Sequence, residues 1–147
     1  MLLIDNMTLE DVSGVTIVEE ECFAQPWSFQ AFLSELENDK AVTYIAIEDY
    51  EVVGFINAHF VLNEGYVNNI AVTLTHRRKH IASMLIEKLV SFAIDKKLAF
   101  LTLEVRKSNE TAIKLYEKHG FLEVGMRKDF YDQPQEDAIL MTRKFDI

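Results

Sequence analysis

A chain of 147 residues with 49% hydrophobic and 27% charged residues, 2 Pro and 5 Gly has the size of one domain and the composition of a folded globule, which excludes a disordered or low-complexity protein. Its one cysteine, Cys22, excludes an internal disulfide and a cysteine-built zinc site, and points to a reducing compartment. The net charge of −9 is unevenly spread: residues 1–70 carry 13 acidic side chains against one basic, residues 71–147 carry 11 against 14, so the first part repels nucleic acid and the second can hold an anion.

The opening Met1-Leu2-Leu3-Ile4 runs straight into Asp5. It has no basic flank and no long apolar stretch, so neither a signal peptide nor a membrane span is expected, and a cytoplasmic location follows. Thr8 ahead of Glu10 and Asp11 has the pattern of a helix start, and Leu9, Val12, Val15 and Ile17 carry that helix to about Phe23. Pro26 breaks it. Ser28 caps a second short helix to about Leu36, with Phe29, Phe32, Leu33 and Leu36 at helical spacing. Two helices are therefore expected before any strand.

Residues 42–47 and 52–62 are rich in β-branched and aromatic side chains and read as a hairpin across Asp49-Tyr50-Glu51. Gly65 is expected to turn the chain into a third strand over 66–72. A polar stretch over 73–78 then leads into a helix over 79–96, whose apolar face is Ile81, Leu85, Leu89, Phe92 and Ala93. Residues 99–105 read as a buried strand, and Ser108 or Asn109 caps a helix that Gly120 ends from the C′ position. Residues 121–126 and 138–145 are the last strands, joined by a polar, aromatic loop over 127–137. The order is ααβββαβαββ with no internal repeat. An α/β domain over 1–147, with a mixed sheet and helices on both faces, is the expected architecture.

His76-Arg77-Arg78-Lys79-His80 is the densest basic run of an acidic chain, and it sits where a strand feeds a helix. Free backbone N–H groups and the positive end of the helix dipole converge there, so a phosphate would be stabilised even before the side chains add to it. No Gly-x-x-x-x-Gly-Lys-Ser/Thr loop occurs, which excludes a P-loop nucleotide site. On charge alone, a solvated basic turn is the simpler reading of the run.

Asn69-Ile70-Ala71-Val72 followed by Arg77-Arg78-Lys79-His80-Ile81-Ala82 resembles the coenzyme-binding motif of the GNAT acetyltransferases, Arg/Gln-x-x-Gly-x-Gly/Ala after a strand. Arg77 and Ala82 match, whereas His80 stands at a glycine position. The resemblance implies a GNAT fold with a mostly antiparallel sheet and acetyl-CoA as cosubstrate. Its diphosphate would lie in a cradle drawn from Ile70, Ala71, Val72, Arg77, Arg78, Lys79, His80, Ile81, Ala82 and Ser83. A β-carbon at His80 would narrow that cradle, so weaker or re-angled cofactor binding is expected.

Acyl transfer needs a base, because a terminal amine with a reference pKa of about 7.7–8.0 is largely protonated near neutrality. It also gains from an acid beside the departing thiolate. Glu104 shares a strand face with Phe100 and Thr102 by the two-residue period, and Tyr116 lies beside Ala112 and Leu115 on the following helix. Taken alone, a surface carboxylate paired with Arg106 and a core aromatic are the simpler readings. Together, however, Leu103-Glu104-Val105-Arg106, Ser108-Asn109, Ala112, Leu115-Tyr116-Glu117 and Gly120-Phe121 resemble the bacterial ribosomal-protein-alanine N-acetyltransferase group. That resemblance implies Glu104 as general base, Tyr116 as general acid toward the CoA sulfur, and Asn109 with Ala112 along the pantetheine arm. It also implies the Val72 N–H as a donor to the thioester oxygen. Cys22 has no evident activating base and reads as a structural thiol, so direct transfer in a ternary complex is expected.

Gln25-Pro26-Trp27-Ser28 and the segments 127–131 and 136–141 resemble the loops that, in protein N-terminal acetyltransferases, wall a groove for the first residues of a peptide. Trp27 and Tyr131 are the implied substrate contacts, with Phe130 standing where a second tyrosine is usual. The implied acceptor is a protein N-terminus, an Ala-starting small-subunit ribosomal protein, whose cationic segment suits the acidic first half. No metal, nucleic acid or membrane partner is expected, and the expected state is a monomer or weak dimer. A GNAT acting on a polyamine or antibiotic, or a non-catalytic acyl-CoA-binding module, would share the same motif.

Overall fold

The computed structural model describes residues 1–132 and 134–145; Gln133, within the expected 127–137 loop, and the last two positions of the expected domain lie outside them. Seven strands form one sheet in the order β1-β2-β3-β4-β5-β7-β6. They are β1 Leu2–Asn6, β2 Ala41–Glu48, β3 Glu51–Val61, β4 Glu64–Val72, β5 Phe100–Arg106, β6 Leu122–Tyr131 and β7 Glu136–Lys144. Four helices join them: α1 Val12–Cys22, α2 Phe29–Glu35, α3 Ile81–Asp95 and α4 Glu110–Lys118. Among the described residues no helix is long and apolar enough to cross a membrane.

The mixed α/β architecture is as expected, with one strand more. β1 precedes the helices and pairs antiparallel with β2 from Leu2↔Glu48 to Asn6↔Tyr44. Five residues without alternation carry no strand signal of their own; an edge strand of this kind is made by the partner it pairs with. The first helix also starts differently. Thr8 donates both its N–H and its hydroxyl to Asp11 Oδ2, at 2.8 and 2.8 Å, across a 3-10 turn, Leu9–Asp11. Leu9 and Ile17 are exposed, and the buried stripe of α1 is Val12, Val15, Val18 and Glu19. Ser28 caps α2 as expected, accepting the Ala31 N–H at 3.1 Å.

Each face of the sheet carries its own core. α1 and α2 bury Val12, Val15, Val18 and Phe32 against Ile45, Phe55 and Ala71. On the other face α3 buries Ile81, Leu85, Leu89 and Ala93, and α4 buries Tyr116, against Ile56, Leu101, Leu103 and Met141. Burial alternates strictly along β5, where Leu101, Leu103 and Val105 are buried and Phe100, Thr102, Glu104 and Arg106 share the other, half-buried face. Asn109 caps α4 through a 3.1 Å bond from the Ala112 N–H. Gly120 follows with φ +87°, the left-handed C′ conformation that a residue with a β-carbon adopts at a cost.

Only one pairing in the sheet is parallel, and it is short: β4 meets β5 at Glu64↔Phe100, Gly65↔Leu101 and Tyr66↔Thr102, after which the strands part. A register shift between Asn57 and Ala58 leaves Asn68 as the extra residue of β4, a bulge that bends the strand. Gly65 lies inside this paired stretch, and the turn falls earlier, at Leu62 (φ 55°). The glycine serves close approach instead: a Cβ there would stand 2.7 Å from Leu101 Cδ2 and 3.2 Å from the Phe100 carbonyl. β6 and β7 also run past their expected ends, leaving only 132–135 between them. The aromatic residues of the expected loop are thus strand residues, in a ribbon whose register shifts between Arg127 and Tyr131.

Gly65→Ala overpacks the three-residue contact on which the divergence of the two strands depends. The expected loss is about 1–3 kcal/mol of unfolding free energy, read as a lower midpoint in urea with an unchanged slope.

Candidate active site

Residues 73–80 join β4 to α3 and bend twice. Arg78 (φ 65°) and His80 (φ 62°) both take left-handed conformations. A left-handed His80 stands outside the helix, so α3 begins at Ile81 and not at the expected Lys79. The first bond of that turn runs from the Met84 N–H to the His80 carbonyl at 3.1 Å, which leaves the N–H groups of Ile81, Ala82 and Ser83 without intrahelical partners. They open on a cavity of about 660 Å³ whose walls include Ile70, Ala71, Val72, Arg78, His80 and Lys118. This pairing of free amides with a helix dipole suits a diphosphate. Among the expected cradle residues, Lys79 lines neither this cavity nor the next.

Arg77 lines the cavity with its side chain already engaged. Its Nε donates to the Val72 carbonyl at 3.0 Å and one terminal nitrogen points to Cys22 Sγ at 3.6 Å. The Cys22 thiol also donates to the Val72 carbonyl, at 3.5 Å. Thr73 sends its N–H to the Val53 carbonyl on β3; by the alternation of an antiparallel strand, Val72 turns both its N–H and its carbonyl away from β3, toward the gap. Burial pushes the Cys22 thiol up and Arg77 only partly offsets this, so the thiol is not a poised nucleophile.

A second cavity, of about 490 Å³, lies across the gap between β4 and β5. Cys22, Phe23, Ile70, Asn109, Ala112 and Tyr116 line both cavities, so the two meet where the strands have separated. Glu104 and Tyr131 open on the second alone. The Glu104 Oε2 is buried and takes no hydrogen bond from any described residue, a costly arrangement that a ligand or water would relieve. Tyr116 is buried, and that burial, followed by the neighbouring Tyr131, pushes its hydroxyl well above the ordinary tyrosine value of 10.0. It stays protonated and so keeps a hydrogen to donate.

Arg106 does not pair with Glu104. It turns to the β6–β7 connection, donating to the carbonyls of Pro134 at 2.8 Å and Asp132 at 3.0 Å, and meets Glu136 Oε1 at 3.3 Å. Its guanidinium also lies 4.4 Å from the centre of the Tyr131 ring, which fixes that ring as a wall of the cavity. Glu136 in turn accepts the Ser108 N–H at 2.6 Å; this bond and the Arg106 charge hold its carboxyl below its usual range. The facing wall is the α1–α2 linker, where Trp27 packs on Phe32 with ring centres 5.3 Å apart.

Two residues of the site have no counterpart among the expectations. His119 meets the Ser83 hydroxyl at 2.9 Å, tying the end of α4 to the start of α3. Glu19 is buried at the inner end of the second cavity, where it accepts hydrogen bonds from Trp27 and Asn69. A signal for Glu19 existed, since it falls on the stripe of Val12 and Val15 at i+3 and i+7 spacing, where an acid is out of place. Among the described residues no group of three or more His, Cys, Asp or Glu side chains could hold a metal ion.

Comparison with known proteins gives this geometry a context. Residues 13–121 match the Acetyltransferase (GNAT) family. The [ribosomal protein bS18]-alanine N-acetyltransferase of Haemophilus influenzae is 33% identical over 147 residues, covering 96% of this chain and 97% of its own. That of Escherichia coli K12 is 32% identical over 143 residues, with 96% of each chain covered. The crystal structure of the ribosomal-protein-S18-alanine N-acetyltransferase from Escherichia coli superposes with a TM-score of 0.93 at 30% identity, over 100% of this chain and 96% of that one.

His80 holds a conformation that costs a residue with a β-carbon about 1–2 kcal/mol, while glycine's greater unfolded-state freedom takes back roughly 0.5–1 kcal/mol. His80→Gly is therefore expected to raise unfolding free energy, by no more than about 1.5 kcal/mol, and to tighten acetyl-CoA binding by opening the cradle. Urea denaturation and calorimetry with acetyl-CoA check the two effects separately.

Proposed function

The chain belongs to the GNAT acetyltransferases and uses acetyl-CoA as its acetyl donor, and on that footing we propose that it acetylates the N-terminal α-amine of an Ala-starting small-subunit ribosomal protein, in the cytoplasm. One observation carries the reading. A buried carboxylate oxygen without a partner and a protonated phenol line one continuous gap, at the end of which lies a helix start suited to a diphosphate. The relatives that match nearly the whole chain are named [ribosomal protein bS18]-alanine N-acetyltransferases. The excess of acid over residues 1–70 favours a cationic peptide.

Each side chain then has a task. Glu104 takes a proton from the acceptor ammonium, directly or through a water, and so frees the nitrogen lone pair. The nitrogen attacks the thioester carbonyl; the new C–N bond forms as the C–S bond breaks, and the proton that the nitrogen sheds on becoming an amide passes through water to the departing thiolate. The Val72 N–H donates to the carbonyl oxygen as it gains charge, a contact whose removal in comparable sites costs about 2.7–4 kcal/mol. Tyr116 donates a hydrogen bond to the departing sulfur. Asn109 and Ala112 flank the pantetheine arm. Free amides at Ile81, Ala82 and Ser83, helped by Arg78, hold the diphosphate. Trp27 and Tyr131 wall the acceptor peptide.

Glu104→Gln is expected to lower kcat with an Ala-starting ribosomal peptide by about 10²–10⁴-fold and to leave acetyl-CoA binding unchanged by calorimetry. Unchanged turnover would instead point to a binding module. Tyr116→Phe removes one donor to the leaving group and is expected to cost about 10²-fold in kcat. Because the Tyr116 hydroxyl titrates well above its ordinary value of 10.0, it is protonated throughout the assay range. The deficit of the phenylalanine variant should therefore be the same at about pH 7 and at about pH 9, as a pH–rate profile of both proteins will test.

A further inference from the structure

Glu19 is 1% exposed and none of the ion pairs among the described residues includes it. A carboxylate buried without a cation persists only when donors satisfy it. Three bonds do so here. The Trp27 N–H donates to Oε2 at 2.9 Å, and the Asn69 Nδ2 reaches both Oε1 and Oε2 at 2.9 Å. Burial pushes the carboxyl up, and the bonds from Trp27 and Asn69 pull it back.

What the three bonds connect is the informative part. Residues 23–26 are exposed, and the bond to Glu19 is, among the described residues, the one hydrogen bond that anchors 24–27 to the rest of the protein. Trp27 forms one wall of the acceptor cavity. At the other end, Asn69 follows the bulge at Asn68, on the stretch of β4 that has left β5, and precedes Ile70-Ala71-Val72 of the cofactor side. The Trp27 ring is held by packing on Phe32, and its backbone takes its position from this contact.

We propose that Glu19 is a positioning residue for the acceptor: it clamps the Trp27 wall to the free stretch of β4 and so sets the width of the groove that admits the peptide N-terminus. Glu19 lines the inner end of the acceptor cavity, but both its oxygens are taken by Trp27 and Asn69, so it acts through them. This inference rests on the acceptor reading above, and its effect falls on peptide binding and not on the cofactor.

The test uses the full chain with Glu19→Met, which keeps the side-chain volume without the acceptors, and Glu19→Gln, which keeps acceptor capacity without charge once the Asn69 amide turns over. Trp27 is the one tryptophan, so its emission reports the wall directly, with no substrate present. Glu19→Met is expected to red-shift that emission and to raise KM for an Ala-starting peptide about tenfold or more, the scale of a lost bond to a charged group, with KM for acetyl-CoA unmoved. Glu19→Gln is expected to stay near wild type in both readouts. Emission and peptide KM unchanged in Glu19→Met, or both KM values rising together, would overturn the clamp. A glutamine variant as impaired as the methionine one would mean that the charge itself is used. Failure of the wild type to acetylate the peptide would sink the acceptor reading instead, and the emission of the variants would still judge the clamp; should Glu19→Met not fold, Asn69→Ala, at a half-buried position, removes two of the three bonds and must give the same direction of change.

Discussion

The brevity of the β4–β5 contact governs everything the protein can do. Three residue pairs hold the two strands together, and beyond them each strand is secured from its other side, β4 by β3 and β5 by β7. The separation leaves backbone amides in the middle of a sheet without strand partners, an arrangement that water or a ligand must complete. It persists because cores on opposite faces hold the two halves at their angle. A longer parallel ladder would satisfy the amides and close the site.

The uneven charge of the chain is resolved by this same gap. Basic residues 77–79 collect at the α3 start, while Glu19 and Glu104 line the cavity on the other side. The two groups differ in kind as well as in sign. Arg77 spends its guanidinium on a backbone carbonyl and a thiol, and Arg106 spends its own on a turn and an aromatic ring. Both cations next to the reacting centre are thus structural. Long-range attraction is left to the exposed charges, where salt screens it.

Most of the fold could be read from the sequence because its signals are local. The helical spacing of Leu85, Leu89 and Ala93, the Ser28 and Asn109 caps and the C′ Gly120 each act within a few residues, and each lies where the pattern set it. Non-local features were the ones that escaped. β1 exists only through β2; the β6–β7 ribbon continues past Met126 only because each strand supports the other; Gly65 is required by Leu101 and the Phe100 carbonyl, residues that no spacing rule links to it. The same division holds at the site. Glu104 and Tyr116 could be found by position along an element and by family likeness. Glu19 answers to Asn69, fifty residues away, and Arg106 turned from its neighbour Glu104 to carbonyls of a turn that only the tertiary structure brings near.

The state of the Tyr116 hydroxyl limits what kind of catalysis is available at the sulfur. A thiolate has a reference pKa of about 8.5 and an ordinary tyrosine about 10, so even an unperturbed phenol would give up its proton to the leaving group only at a cost. Burial pushes Tyr116 further in the same direction. Complete transfer from the phenol is therefore uphill, and in the proposed reaction what the side chain would supply is a fixed hydrogen bond to the sulfur as charge grows there. In the proposed mechanism Glu104 and the Val72 N–H would act on the same terms, one ready to accept and one ready to donate before the reaction begins. A site of this construction lowers its barrier by having its dipoles already oriented, at no reorganisation cost during the step. That explains why so many of its neighbours, from Arg106 to Asn69, serve to hold other groups still.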